Sequence, residues 1–322
     1  MTDAPGIGAV AIGRNEGDRL VACLAALRGR VDPIVYVDSG STDDSVAAAR
    51  AVGAHVVALD TSIPFTAARA RNAGLAALRK HAPGAAYVQF LDGDCVLQPG
   101  WIETARAVLQ DNPDVAVACG RRREKFPDHS LYNRLIDAEW DTPVGDARAC
   151  GGDALMRIDA LQEVGGYRDS LIAGEEPELC VRLRAHGWKI RRLDAEMTLH
   201  DADITRFGQW WRRARRGGHA YAEGAALHGG PPERHKVRET RSALLWGGAL
   251  PTLALLGALL VTPWALALLL AYPAQMLRLS AKGMPLIQAV FVVLAKLPEA
   301  QGAVQYWLKH LRGAESTLIE YK

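Results

Sequence analysis

Residues 86–94 read AYVQFLDGD, an apolar run that ends in two carboxylates separated by one glycine. The apolar part predicts a buried strand. Gly93 permits a tight turn, so Asp92 and Asp94 can face the same space. Carboxylate oxygens are the ligands that Mg²⁺ and Mn²⁺ prefer, and two of them leave coordination positions for a diphosphate. An acidic turn in solvent is an equally good interpretation of the motif alone, so its surroundings must decide.

Apolar runs alternate with helix-like stretches around this segment. The predicted strands are 7–12, 34–37, 55–59 and 86–90, and the predicted helices are 19–27, 44–51, 66–80 and 102–110. This rhythm predicts an α/β domain with a mostly parallel central sheet.

Ligands of such sheets bind beyond the carboxyl ends of the strands. Polar residues follow three of the predicted strands: Asn15 and Glu16, then Asp38 and Ser39, then Asp92 and Asp94. Topology therefore predicts one binding site at this edge.

The second predicted strand runs into the acidic loop 38–45, DSGSTDDS. Asp38 can accept a hydrogen bond from a base or ribose, while Ser39 and Ser41 add short-range hydrogen bonds. Thr42 or Asp43 is expected to cap the helix that follows.

Composition limits the classes of protein. A chain of 322 residues with 49% hydrophobic and 23% charged residues is expected to fold around one large core, or around a catalytic domain with an appendage. A formal net charge of +2 gives no argument for a nucleic-acid partner. Five scattered cysteines without a Cys-x-x-Cys pair speak against a disulfide framework and indicate a reducing compartment. The first residues do not resemble an export signal.

A different zone begins at Ser242 and runs to Leu277 without an acidic or basic residue. As one helix it would rise about 54 Å, against a bilayer core of about 30 Å. Division at Thr262 and Pro263 gives two apolar helices, and Arg and Lys residues beyond both ends place both ends on the cytoplasmic side. A re-entrant hairpin and a buried hairpin of a soluble domain remain alternatives.

A third apolar run, 284–295, is too short to span and is expected to be interfacial. The predicted organisation is a catalytic domain over 1–204, a basic Trp-containing juxtamembrane helix over 205–241, the hairpin over 242–277, and an interfacial helix with a cytoplasmic tail over 278–322.

The motifs together resemble the family 2 glycosyltransferases, which have the GT-A nucleotide-sugar-binding fold, and bacterial exopolysaccharide transferases among them. The matching segments follow the family's order through residues 7–200: 11–16 (AIGRNE), 38–43 (DSGSTD), 70–74 (ARNAG), 92–94 (DGD), 151–154 (GGDA), 165–167 (GGY), 174–179 (GEEPEL) and Arg182. The resemblance implies inverting transfer of a sugar from a nucleoside-diphosphate sugar with Mg²⁺ or Mn²⁺.

Site residues follow from the resemblance and from the chemistry of the residues. The metal ligands are predicted to be Asp94, Asp92 and His200; for His200 alone, a hydrogen-bonding role is the alternative. The donor-binding residues are predicted to be Asn15, Glu16, Asp38, Ser39, Arg71, Asp92, Gly93 and Asp153.

The general base must be a carboxylate that takes the proton of the acceptor hydroxyl. Where the family often has Glu-Asp, this chain has Glu175-Glu176, and where the family often has Gly-Gly-Asn it has Gly151-Gly152-Asp153. We predict Glu176 as the base, with Glu175 second, whereas Glu178 is expected to be structural.

Residues 206–216, RFGQWWRRARR, resemble the Gln-x-x-Arg-Trp element of processive family members in altered order. Tryptophan stacks on sugar rings and arginine binds phosphate bidentately. The predicted acceptor- or phosphate-binding residues are Gln209, Trp210, Trp211, Arg212 and Arg213. An amphipathic helix whose arginines meet anionic lipid explains the segment equally well.

The predicted function is transfer of single sugars to a polyprenyl-linked or glycan acceptor, at the cytoplasmic face of the inner membrane, in exopolysaccharide or cell-envelope synthesis. The expected partners are membrane lipid and either polysaccharide assembly proteins or further copies of the chain. The alternative is a catalytically silent nucleotide-sugar-binding scaffold. The absence of a Gly-rich phosphate loop and of Gly-x-Gly-x-x-Gly after the first strand opposes a nucleotidylyltransferase and a dinucleotide oxidoreductase.

Overall fold

A computed structural model describes residues 6–313 and Ile319. The chain forms two compact units, Met1–Thr205 and Arg206–Lys322.

The first unit alternates strands with helices. Its strands are β1 Gly6–Gly13, β2 Ile34–Asp38, β3 His55–Ala58, β4 Ala85–Asp92, β5 Cys95–Leu97, β6 Val115–Glu124, β7 Gly145–Ala147, β8 Ala154–Arg157 and β9 Lys189–His200. Its helices are α1 Asp18–Leu27, α2 Ser45–Ala51, α3 Ala67–His81, α4 Trp101–Asp111, α5 Leu131–Trp140, α6 Ile158–Glu163 and α7 Glu175–Ala185, with a 3₁₀ turn at Pro127–His129.

One sheet carries the described strands in the order β3-β2-β1-β4-β8-β6-β9-β5, and β7 pairs with β9. The first four strands are parallel, whereas β8 runs antiparallel to both of its neighbours. The predicted α/β fold with its parallel sheet is therefore confirmed, and the part beyond β4 is mixed.

Strands β1, β2 and β4 are apolar along their length because both of their faces are buried. Helices cover both faces of a parallel sheet, so successive side chains are buried on either side. Val10, Tyr36 and Phe90 are fully buried. At Gly74 a Cβ atom would collide with Val10, so the absence of a side chain lets α3 lie directly on β1.

The second unit is helical. Its helices are α8 Phe207–His228, α9 Val237–Ala243, α10 Leu250–Leu260, α11 Ala271–Ala281, α12 Leu286–Leu294 and α13 Lys296–Leu311, with a π-helical segment at Leu244–Ala249 and a 3₁₀ helix at Pro263–Leu270. Helices α8 and α13 approach closely, because Gly218 faces the backbone of Glu299 and Gly302 faces the backbone of Arg215.

Two helical stretches in the described part of this unit are long and apolar enough to cross a membrane, judged by length and composition alone. They are Val237–Leu260 and Leu286–Leu311, with mean hydropathies of 1.8 and 1.2. The chain turns at Thr262, where the hairpin is predicted to divide. After the turn it forms a 3₁₀ helix and then α11, instead of the one continuous apolar helix predicted for this half of the hairpin. The apolar run 284–295 is not an isolated short helix, since α13 continues from α12.

Candidate active site

The acidic turn lies at the carboxyl edge of the sheet, as predicted. Asp92 ends β4, and the amide of Gly93 donates to the carbonyl of Ile12 at 2.8 Å, which holds the turn against β1. The chain then enters β5, which runs antiparallel to β9 and sets Cys95 opposite His200. As a result, Nε2 of His200 lies 3.2 Å from Oδ1 of Asp94.

Two groups of side chains could each hold a metal ion, because the candidate ligand atoms of each group lie within 4.8 Å of one another. One group is Asp94, Cys95 and His200, and the other is Asp92, Cys95 and Asp153. The structure thus brings His200 to Asp94 and places Asp92 beside Asp153. Cys95, which directly follows the Asp-Gly-Asp motif, was not predicted as part of the site.

These residues fit a divalent cation. Asp94 and His200 are both buried, and Nδ1 of His200 has no hydrogen-bond partner within the described residues. The carboxylates suit Mn²⁺ or Mg²⁺, and the imidazole suits Mn²⁺. Burial raises the pKa of the Cys95 thiol, which disfavours the thiolate that a soft metal would need.

Arg71 joins the metal side of the site to helix α7. Its Nη2 donates to Oδ1 of Asp92 at 2.7 Å, and its Nη1 donates to Oε1 of Glu175 at 2.6 Å. The guanidinium also lies over the ring of Tyr167, 5.6 Å from its centroid. Arg71 is fully buried and pairs with both carboxylates, and its predicted binding of the donor stays a prediction.

Asp153 has its own set of partners. Its Oδ2 accepts from the hydroxyl of Thr198 at 2.7 Å and lies 3.0 Å from Nη2 of Arg122. Its Oδ1 accepts from the amide of Asp92 at 3.3 Å. Asp153 is therefore built into the frame of the site, and it connects β4, β6 and β9.

Trp140 packs beside this frame. Its ring lies 5.4 Å from the guanidinium of Arg122 and 4.8 Å from the ring of His200. The sequence did not indicate either residue: Arg122 reaches the site because β6 pairs with β9, and Trp140 reaches it as the last residue of α5.

The predicted nucleoside-binding loop is ordered by Asp38. Its Oδ2 accepts from the amides of Gly40 and Ser41, both at 3.0 Å, and its Oδ1 accepts from the hydroxyl of Tyr36 at 3.2 Å. The amide of Ser39 donates to the carbonyl of Gly13 at 3.0 Å. These bonds give Asp38 a structural role in addition to any contact with a ligand.

Asn15 closes the same loop from β1. It adopts a left-handed conformation with φ of 56°, and its Oδ1 accepts from the amide of Thr42 at 2.7 Å. Glu16 pairs with Arg19 at 2.9 Å. In the loop before α2, Oδ1 of Asp43 accepts from the amide of Ser45 at 3.0 Å. The N-cap residue of α2 is Asp44, whose side chain makes no capping hydrogen bond, so the prediction of Thr42 or Asp43 as the cap is wrong because the helix begins one residue later than predicted.

The two candidate bases differ in their surroundings. Glu175 is engaged by Arg71. Burial, and after it the nearby carboxylate of Glu175, raises the pKa of Glu176 to about 7. Glu178 binds Arg182 through both of its oxygens, at 2.7 to 3.0 Å, as a structural residue would.

The predicted acceptor-binding residues lie on α8 in the second unit. Trp210 is only 6% exposed and meets Phe291 edge-on at 5.0 Å, so little of its ring is free to stack on a sugar. Trp211 is less buried and donates to Gln301 at 3.1 Å. Gln209 accepts from the amide of Arg206 at 3.0 Å, while Arg212 is exposed. Binding of acceptor by these residues and by Arg213 stays a prediction.

A sheet of this order, with acidic residues at the ends of β1, β2 and β4, defines a GT-A nucleotide-sugar-binding domain. Residues 11–164 match the model of glycosyl transferase family 2, and the first unit accordingly contains a domain of that family.

Two curated relatives, both named pre-mycofactocin glycosyltransferase and both from Mycobacterium tuberculosis strains, are 28% identical over 253 residues. The match takes in 72% of this chain and 48% of each relative. The chain thus spans about half the length of these relatives.

Solved structures share the fold. The mannosyltransferase PcManGT from Pyrobaculum calidifontis, in complex with GDP-Man and Mn²⁺, has a TM-score of 0.57 at 20% identity, over 98% of this chain and 89% of that one. Glucosyl-3-phosphoglycerate synthase from Mycobacterium tuberculosis, in complex with Mn²⁺, UDP and glucosyl-3-phosphoglycerate, has a TM-score of 0.52 at 18% identity, over 71% of this chain and 81% of that one.

Proposed function

We propose that this protein is an inverting, metal-dependent glycosyltransferase that moves one sugar from a nucleoside-diphosphate sugar to an acceptor at a membrane surface. The observation that carries the proposal is the ion-paired chain Asp92–Arg71–Glu175. It fixes the acidic strand end beside the first turn of α7, where Glu176 follows directly. The carboxylates proposed to bind the metal and the proposed base Glu176 are thereby held on either side of the same site.

The metal is proposed to bind Asp94 and His200, with Asp92 nearby. A divalent cation supplies positive charge against the negative charge that develops on the departing diphosphate. Arg122 and Arg71 hold Asp153 and Asp92 in fixed positions, so the carboxylates need not reorganise as charge develops.

Glu176 is proposed as the general base. Its carboxylate takes the proton of the acceptor hydroxyl while the acceptor oxygen forms its bond to the anomeric carbon. The bond from that carbon to the diphosphate oxygen breaks on the opposite face, and the nucleoside diphosphate leaves with the electron pair. A pKa near 7 suits this role, because an effective base titrates close to the working pH.

The donor nucleoside is proposed to lie along the loop from Asp38 to Ser41 and the start of β1. The loop backbone is already ordered by Asp38 and Asn15, so binding costs little ordering of the chain. Ser39, Glu16 and Gly93 line the adjacent strand ends.

The acceptor is proposed to be lipid-linked, or a growing glycan, in exopolysaccharide or cell-envelope synthesis. Support comes from the exposed apolar side chains of the second unit, such as Leu259, Val261 and Trp264, which are 78% or more exposed. Arginines on α8 suit the phosphates of lipid or of a polyprenyl diphosphate. We place the first unit at the cytoplasmic face of the inner membrane.

A second acceptor class is favoured by the curated relatives, whose name specifies pre-mycofactocin. This acceptor would use the same donor site and the same base. The two acceptors are distinguished by supplying each in turn.

The test is release of nucleoside diphosphate from a panel of UDP-, GDP- and dTDP-sugars with Mn²⁺ or Mg²⁺, using the full chain in detergent. Each donor is offered with a polyprenyl-diphosphate-linked sugar, with pre-mycofactocin, or alone. We expect one donor to turn over with one acceptor, only with metal, and with inversion at the anomeric carbon. A product that retains the donor's anomeric configuration would contradict the single-displacement mechanism.

A further inference from the structure

Two cysteines of the first unit lie close together beside the site. The Sγ atoms of Cys150 and Cys180 are 3.7 Å apart, although the residues are 30 positions apart in the chain. Cys150 lies in the loop between β7 and β8, directly before Gly151. Cys180 lies on α7, the helix that begins with Glu175.

The two thiols differ in access to solvent. Cys150 is partly exposed, whereas Cys180 is fully buried. The other three cysteines are buried: Cys23, Cys95 and Cys119. An oxidant in solution therefore meets Cys150 first.

We propose that Cys150 and Cys180 form a reversible redox modification site that takes a low-molecular-weight disulfide such as oxidised glutathione as its oxidant. This inference does not depend on the proposed function.

The chemistry proceeds in two exchanges. The thiolate of Cys150 attacks one sulfur of the oxidant, forms a mixed disulfide and releases one thiol. The thiolate of Cys180 then attacks the sulfur of Cys150, forms the internal disulfide and releases the second thiol. The protein loses two protons and two electrons, and the oxidant is reduced to two thiols. Because Cys180 attacks a neighbouring sulfur, it need not reach solvent.

The bond would connect two segments that frame the site. Gly152 lies against Arg71 and Asp92, and Asp153 follows it. Helix α7 carries Glu175 and Glu176. In the oxidised protein this loop and this helix are tied together, whereas in the reduced protein only contacts hold them.

Protonation of the Cys150 thiol controls the rate of the first thiol–disulfide exchange. The hydrogen bond between the two thiols, and after it burial, raises the pKa of Cys150. Since the thiolate is the attacking species, exchange is slow at neutral pH and rises about tenfold per pH unit below that pKa.

The experiment treats the full chain in its native state with oxidised glutathione at alkaline pH. The protein is then denatured in N-ethylmaleimide, which blocks every free thiol, and unreduced tryptic peptides are identified by mass spectrometry. Cys150 falls in peptide 149–157 and Cys180 in peptide 169–182, so their linkage gives a unique joined mass. We expect this linked pair, reversal by dithiothreitol, and blocked thiols at the other cysteines.

Variants keep the test decisive. Cys180→Ser should trap Cys150 as its mixed disulfide with glutathione, and Cys119→Ser should still give the linked pair. Because Cys180 is buried and its variant could misfold, Cys150→Ser serves as a second variant, in which we expect no linkage and no glutathione on Cys180. An unmodified Cys150 in the wild type, or a link between Cys119 and Cys180, would overturn the proposal.

Discussion

Arg71 and Glu175 form a buried ion pair in which Nη1 of the arginine donates to Oε1 of the glutamate at 2.6 Å. Both side chains are at most 8% exposed. The other end of the same guanidinium holds Asp92, which is 31% exposed. One side chain thus fixes the distance between the end of β4 and the start of α7.

Replacing Arg71 should destabilise the protein strongly. In Arg71→Met the carboxylate of Glu175 stays buried without its cation, and such losses cost about 3–5 kcal/mol. We expect the free energy of unfolding of the first unit to fall by this amount, and chemical denaturation measures it. Arg50→Met, on the exposed face of α2, is the control and should change stability little. Equal effects of the two substitutions would contradict the structural role of Arg71.

Gly152 tests the close packing of the same pair. A Cβ atom there would lie 2.8 Å from Nη2 of Arg71 and 3.0 Å from Oδ2 of Asp92. Gly152→Ala should therefore push the ion pair apart, weaken donor binding and cost about 1–3 kcal/mol of stability. Gly84 has open space around it, so Gly84→Ala is the matched control. Calorimetric titration with UDP and GDP measures the first effect, and unchanged affinity in Gly152→Ala would count against this geometry.

The raised pKa of Glu176 predicts a dependence of stability on pH. A carboxyl with a higher pKa in the folded state holds its proton more tightly there, so its contribution to stability is complete below its unfolded pKa. That contribution is lost as pH rises through about 7. Glu176→Gln should therefore be more stable than wild type at about pH 8 and nearly equal to it at about pH 4.

Thermal melting of the two proteins across pH measures this difference. The exposed Glu103 supplies the control, since Glu103→Gln should shift the melting temperature little at any pH. A Glu176→Gln variant that loses stability relative to wild type as pH rises would show that the sign is wrong.

The second unit is predicted to hold the protein on membranes. A chain that ends at Thr205 should remain in the soluble fraction, whereas the full chain should float with liposomes that contain anionic lipid. Replacing exposed leucines of α10, as in Leu256→Glu with Leu259→Glu, should weaken flotation because the charges face lipid. Flotation of the truncated chain as efficiently as the full chain would exclude this role for the second unit.

Strands β1, β2 and β4 are predictable because most of their residues are buried on both faces of the sheet. The apolar run 7–12 becomes β1 Gly6–Gly13, and 86–90 becomes β4 Ala85–Asp92. The second half is harder to predict. Strands β5 and β7 have three residues each, too few to show a period, and β6 ends in charged residues.

The residues of the site also fall into a predictable group and an unpredictable group. Asp38, Asp92 and Asp94 can be placed together from sequence, because parallel strands end at one edge. Arg122 cannot, since its position depends on pairing between β6 and β9, which are distant in sequence. Trp140 cannot either, since it ends α5 and lies beside Arg122 and His200 only through tertiary packing. The partners of Arg71 are equally invisible in the sequence, as Glu175 lies 104 residues away.

The most direct test of the central claim compares Asp94→Ala with wild type in metal-dependent release of nucleoside diphosphate from the active donor. Asp111→Ala, an exposed acidic residue at the end of α4, is the matched control. We expect transfer to be lost in Asp94→Ala and kept in Asp111→Ala, with both variants folded. Undiminished transfer in Asp94→Ala would contradict metal-assisted catalysis at this site. Failure of folded wild type to turn over any donor, while it still binds one, would instead identify a nucleotide-sugar-binding scaffold.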